Sequence, residues 1–217
     1  MSVNEFLKAC TRLVGLVALV TAPFVLLVAT VVWLDGLGGS GGPAKAQAAS
    51  IHPSTKPVMT ENLTIVTDAQ TGKDGYIAFD PTNFTLPAHS TVRIRISNFD
   101  GATPQKPARY ARVWGTVGGT VQVQKFNPVA PNKLGRALTF RAVNPRTQVS
   151  HTFTVAGVGS MNINAPVYPS SVTTFVIRTG KPGHYSWRCW NPCGGGPQGW
   201  TEAMSQRGYM TGTITVA

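Results

Sequence analysis

From Asn62 to the C-terminus, apolar and polar residues alternate in short runs broken by Gly, Pro, Asn and Asp. A period of two over a handful of residues is the mark of half-buried β-strands, whose side chains point alternately to the core and to water. In Thr91-Val92-Arg93-Ile94-Arg95-Ile96 the pattern sends Val92, Ile94 and Ile96 inward and the arginines outward. Phe84 to Ser90 reads as a strand running into a turn, and Tyr110 to Gln124, with Gly115, Gly118 and Gly119, predicts a hairpin. Ser150 to Val155 places His151, Phe153 and Val155 on one face, and Val172 to Ile177 is apolar and mostly β-branched. His184 to Cys189 places Tyr185, Trp187 and Cys189 on one face and His184, Ser186 and Arg188 on the other. Thr211 to Val216 supplies a closing strand. Pro104, Pro107, Pro128, Pro131 and Pro145 punctuate a long insertion at about 101–149 with strands of its own. No stretch sustains a helical period, so the predicted class is an all-β sandwich.

The N-terminal quarter has a different pattern. Leu13 to Leu34 is an uncharged run of 22 residues, long enough to cross a bilayer as a helix. Lys8 and Arg12 precede it and Asp35 follows, which places residues 1–12 in the cytoplasm by the positive-inside rule. Residues 35–57, rich in Gly, Ser, Ala and Pro, read as a flexible tether. The expected protein is a single-pass membrane protein with residues 58–217 as its domain on the outer side. A cleaved signal peptide ending near Ala46-Gln47-Ala48 is the alternative, although the apolar run exceeds the usual h-region.

Charge adds one constraint. The net charge is +11, and residues 101–201 hold no Asp or Glu at all. Such a surface attracts an acidic partner or suits acidic surroundings; nucleic acid is not expected of an exported domain without a nucleic-acid motif. Only six carboxylates lie beyond the tether (Glu61, Asp68, Asp74, Asp80, Asp100, Glu202), and no close pair suggests acid/base catalysis. No Gly-rich loop opens a helix to hold phosphate. No catalytic residues are assigned, and any enzymatic role would be as a subunit of a larger oxidase.

The chemistry-bearing residues come in a recognisable order. Ser150-His151-Thr152-Phe153-Thr154-Val155 resembles the cupredoxin strand that supplies a first histidine ligand. Pro182-Gly183-His184-Tyr185-Ser186-Trp187-Arg188-Cys189 is similar to the strand that carries that family's cysteine. Gly208-Tyr209-Met210-Thr211-Gly212 resembles the segment that brings a methionine and returns into the last strand. The spacing from Cys189 to Cys193-Gly194 is similar to the dinuclear-copper motif of cytochrome c oxidase subunit II, and the single anchor suits a one-helix form of that subunit. The resemblance implies a cupredoxin-like Greek-key β-sandwich, copper as cofactor, electron transfer in a respiratory chain, and partners among the subunits of a membrane respiratory complex or an acidic redox protein. It also implies metal ligands at His151, Cys189, Cys193 and Met210, with Met204 competing for the last place. At the positions of the motif's later histidine and methionine, this chain has Pro197 and Trp200.

Two thiolates, an imidazole and a thioether form a soft donor set that favours Cu(I). Two other readings stand beside electron transfer. One is a metal-free structural subunit with a Cys189–Cys193 disulfide, which an exported domain permits. The other is copper storage or delivery. His184 is expected at the surface, His52 and His89 have no assigned role, and Trp190 with Trp200 is a candidate docking patch.

Overall fold

The computed structural model describes residues 56–67, 72, 76–103, 108–127, 129–157, 161–195 and 201–217, all within the unit formed by residues 51–217. The expected cytoplasmic tail, the anchor at 13–34 and nearly all of the tether lie outside the described residues. Among the described residues no helix is long and apolar enough to cross a membrane.

Among the described residues, twelve strands form two sheets. The first joins β2 (Ala78–Asp80), β1 (Met59–Val66), β4 (Thr91–Asn98), β10 (Ser171–Arg178), β5 (Val121–Asn127) and β6 (Ala130–Leu134) in that order, with β7 (Leu138–Phe140) also pairing with β5. The second runs β3 (Asn83–Leu86), β12 (Thr211–Val216), β11 (Gly183–Arg188), β8 (His151–Val155) and β9 (Ile163–Val167). Strands β1 with β4, and β3 with β12, pair in parallel; the other pairs are antiparallel. The predicted alternation in β4 is realised: Val92, Ile94 and Ile96 are fully buried while Arg93 is exposed.

The inner faces of the sheets meet through aromatic rings. Phe153 of β8 stacks on Trp187 of β11 at 5.3 Å between centroids and reaches across to Phe175 of β10 at 5.8 Å and Phe79 of β2 at 6.4 Å. Large rings at these separations contribute through both buried area and edge–face electrostatics. Two sheets closed over this core make the β-sandwich that the cupredoxin resemblance implies.

Tyr110 to Gln124 departs from the predicted hairpin. The chain makes a 3-10 turn at Ala108–Ala111, single bridges from Arg112 to Ala142, Trp114 to Asn164 and Thr116 to Ile177, then a second 3-10 turn before entering β5. The glycines signal close approach here. At Gly115 (φ +70°) a Cβ would collide with the Asn162 carbonyl, so only glycine lets this segment lie against β9. Laid there, it covers the outer side of β8 and β9, and all five residues of each strand are buried. The Asn164 amide donates to the Arg112 and Tyr110 carbonyls, at 2.7 and 3.1 Å. That satisfies backbone groups which would otherwise be buried without partners. The one α-helical turn among the described residues, α1 (Glu202–Ser205), precedes β12.

Candidate metal centre

Strand β8 brings His151 to the end of the sandwich, and β11 delivers Cys189 beside it: Trp187 and Arg188 pair with Val155 and Thr154. The Cys189 N–H donates to the Met210 carbonyl (2.8 Å), which ties the end of β11 to the start of β12. The Trp190 N–H donates to Thr152 Oγ1 (2.9 Å), and the Asn191 side-chain amide donates to the Ser150 carbonyl, so the cysteine loop folds back onto β8. The turn brings Cys193 Sγ to 3.5 Å from Cys189 Sγ.

The result is a compact donor cluster. One donor atom each from His151, Cys189 and Cys193 lies within 4.8 Å of the others, and all three residues are buried. His151 Nδ1 is 3.9 Å from Cys189 Sγ. The opposite ring nitrogen, Nε2, stands 3.0 Å from Asp100 Oδ2, whose side chain is 15% exposed while that of His151 is wholly buried. A carboxylate against Nε2 holds a ring proton there, so that Nδ1, once it gives up its own proton, turns a lone pair toward the sulfurs, the usual arrangement behind a metal-bound imidazole. Ser150 Oγ donates to the same Asp100 oxygen (3.2 Å).

Electrostatics follow from these contacts. Burial pushes the Cys189 thiol up, but hydrogen bonds from Cys193, His151 and the Thr152 N–H outweigh it and hold the thiol well below its ordinary value. Burial alone would lower the His151 value; the bonds to Asp100 and Cys189 reverse this and raise it. Asp100 moves the other way: burial opposes ionisation, yet its bond to His151 and the Ala102 N–H leave its value lowered.

No disulfide joins Cys189 and Cys193. A disulfide needs sulfurs about 2.05 Å apart, so the disulfide expected under the metal-free reading is not formed in this structure. The 3.5 Å and 3.9 Å separations instead suit a shared ion. In a tetrahedral site with sulfur at about 2.3 Å and nitrogen at about 2.0 Å, ligand atoms stand roughly 3.5–3.8 Å apart. Asn191 Oδ1 is buried without a hydrogen-bond partner among the described residues, and the Asn191 backbone oxygen lies 3.6 Å from Cys189 Sγ, so one oxygen adjoins that sulfur.

The two methionines occupy different places. Met204, on α1, accepts the Cys193 N–H at its sulfur (3.4 Å), which puts a thioether against the cluster. Met210 is fully buried in the core and meets Cys189 through its backbone carbonyl. Among the remaining histidines, His184 is exposed and bonds Thr215 Oγ1 (3.2 Å), His89 lies in the turn between β3 and β4, and His52 is outside the described residues. Trp190 is half-buried, stacked on Tyr110 at 6.0 Å with Arg188 4.6 Å over its ring; Trp200 lies outside the described residues.

Sequence reasoning missed Asp100 and Asn191. Asp100 is the last carboxylate before the acid-free run and follows β4, a different strand and sheet from its partner His151. Its position at the N-terminal border of that run was the available signal.

No protein-family model and no curated protein sequence matches the chain. Among solved structures, the chain is similar to auracyanin B (17% identity, TM-score 0.33, covering 75% of this chain and 91% of that one). It is also similar to a chain of a heme-copper terminal oxidase dimer (16%, 0.34, 99% and 97%). A third likeness is to a multicopper oxidase from Campylobacter jejuni (13%, 0.40), where it covers 76% of this chain but 31% of that one. The donor geometry of His151, Cys189 and Cys193 is what could hold a metal ion at this corner.

Proposed function

We propose that this is a copper protein of the cupredoxin type, whose site is held by Cys189, Cys193 and His151 with a thioether from Met204 or Met210, and that it serves one-electron transfer. The observation that carries this reading is the buried group of two thiols, not joined as a disulfide, and an imidazole at mutual ligand spacing. Copper bound there would supply a one-electron couple. The chain's own residues do the rest. Asp100 keeps the His151 proton on Nε2 and orients the ring. The Thr152 and Asn191 N–H groups, at 3.3 and 3.4 Å, donate to Cys189 Sγ and stabilise its negative charge. The sandwich excludes water from Cys189 and His151, each wholly buried. A rigid pocket of this kind limits rearrangement between charge states.

The same reading places the domain on the outer side of a membrane, tethered by the N-terminal segment, as a subunit II-like member of a respiratory complex. The acid-free, basic run supports it, because such a run would attract an acidic redox partner. A second reading, copper storage or delivery, is favoured by the two buried thiolates, which prefer Cu(I). A redox titration of the copper-loaded full chain separates them. A reversible one-electron couple with both oxidation states retained supports electron transfer; tight Cu(I) with release on oxidation supports storage or delivery.

A further inference from the structure

The opposite side of β11 from Cys189 carries a polar cleft. Register sets Ser186 against Thr213 and Arg188 against Thr211, with Asn83 of β3 against Thr213 on the next strand. Since Trp187 and Ile214 point to the core, these side chains share the outer face of the sheet. The segment from Met204 to Gly208, with Arg207, closes the other wall and leaves a cleft of about 400 Å³.

Its chemistry is one-signed. Two guanidiniums, hydroxyls and an amide line it, and none of its lining residues is a carboxylate. Arg188 is fixed in place: it lies over Trp190, and its Nη2 donates to the Met204 carbonyl at 3.4 Å. Its Nε is buried with no hydrogen-bond partner among the described residues. Guanidinium donors match the oxygens of phosphate or carboxylate groups. We infer that this cleft binds a small molecule carrying more than one oxyanion group. The size agrees, because small-molecule sites span roughly 300–1,000 Å³ and one inorganic oxyanion would leave most of the cleft unfilled. The shared ligand chemistry is the oxyanion, whether phosphate or carboxylate. The cleft lies on the opposite face of β11 from Cys189 and shares Met204, which accepts the Cys193 N–H, with the candidate metal centre; the inference does not depend on the copper reading.

The test is isothermal titration calorimetry of the full chain, metal-free with reduced thiols, in detergent at fixed ionic strength, using inorganic pyrophosphate and citrate as probes. Saturable binding of at least one probe is expected at one site per chain, weakened at least tenfold by Arg207→Gln and by Arg188→Gln and unchanged by Arg178→Gln, an exposed arginine outside the cleft. The stronger probe identifies the phosphate or the carboxylate source. Arg207 is exposed, so its variant carries the test even if Arg188→Gln does not fold. The inference is overturned if neither probe binds saturably. It is equally overturned if binding survives Arg207→Gln within twofold, or if Arg178→Gln weakens it as much, which would mark general attraction to the net charge.

Discussion

Asp100 Oδ2 lies 3.0 Å from His151 Nε2, joining a residue just beyond one sheet to a wholly buried strand residue of the other. This contact turns a buried histidine into a directed donor, because it leaves Nδ1 toward Cys189. Replacing the outer partner of a metal-binding histidine typically costs about 10–100-fold in metal affinity. Asp100→Asn is therefore expected to weaken Cu(I) binding by about that factor while the fold persists. Competition against a Cu(I) chelator, with circular dichroism as the control for folding, reads this directly.

The same pair sets a pH window for the metal-free protein. Asp100's folded value lies below 3.8, so its contribution is complete above that pH and is lost as pH falls through the lowered value. His151's folded value lies above 6.5, so its contribution is complete below 6.5 and is lost as pH rises through the raised value. The pair therefore stabilises most between 3.8 and 6.5. Thermal melts of wild type and Asp100→Asn should differ most inside that window and converge above it. Copper affinity should run the opposite way above 6.5, rising with pH as the proton competing for the imidazole leaves.

Gly212 marks the closest approach between β12 and the segment before β3. A Cβ there would collide with the Thr82 carbonyl and come within 2.8 Å of Trp187 Nε1, which itself donates to that carbonyl at 2.9 Å. Gly212→Ala is expected to destabilise by about 1–3 kcal/mol through overpacking. A chain of this size loses about 2–4 °C per kcal/mol, so the melting temperature should fall measurably while the thiols remain reduced and titratable.

Phe153 touches Phe79, Phe84, Phe175 and Trp187 and so joins both sheets. Phe153→Ala is expected to cost about 3–5 kcal/mol. Denaturant unfolding should show a lowered midpoint with an unchanged slope; a changed slope would mean altered compactness instead.

How far the sequence revealed this molecule depends on the range of each interaction. The β4 alternation is local, and Val92, Ile94 and Ile96 are buried as the two-residue period predicts. The approach of His151 to Cys189 was legible because their strands carry an ordered set of residues that resembles a known family. The Tyr110–Gln124 segment was misread since Gly115 serves a close approach to Asn162 and Trp114 bridges to Asn164, contacts which no local pattern contains. Asp100 was missed for a related reason: its partner is in the other sheet, and the pairing is fixed only when the two sheets close. The disulfide and metal readings shared one spacing, and only the sulfur separation of 3.5 Å distinguishes them.

The central claim is that His151, Cys189 and Cys193 hold copper. Anaerobic Cu(I) reconstitution of the full chain with reduced thiols, followed by metal analysis after desalting, tests it most directly. Retained copper in the wild type, lost in both Cys189→Ser and Cys193→Ser, is the predicted result. No retained copper in a folded protein with both thiols free, or retention unchanged in those two variants, would contradict it.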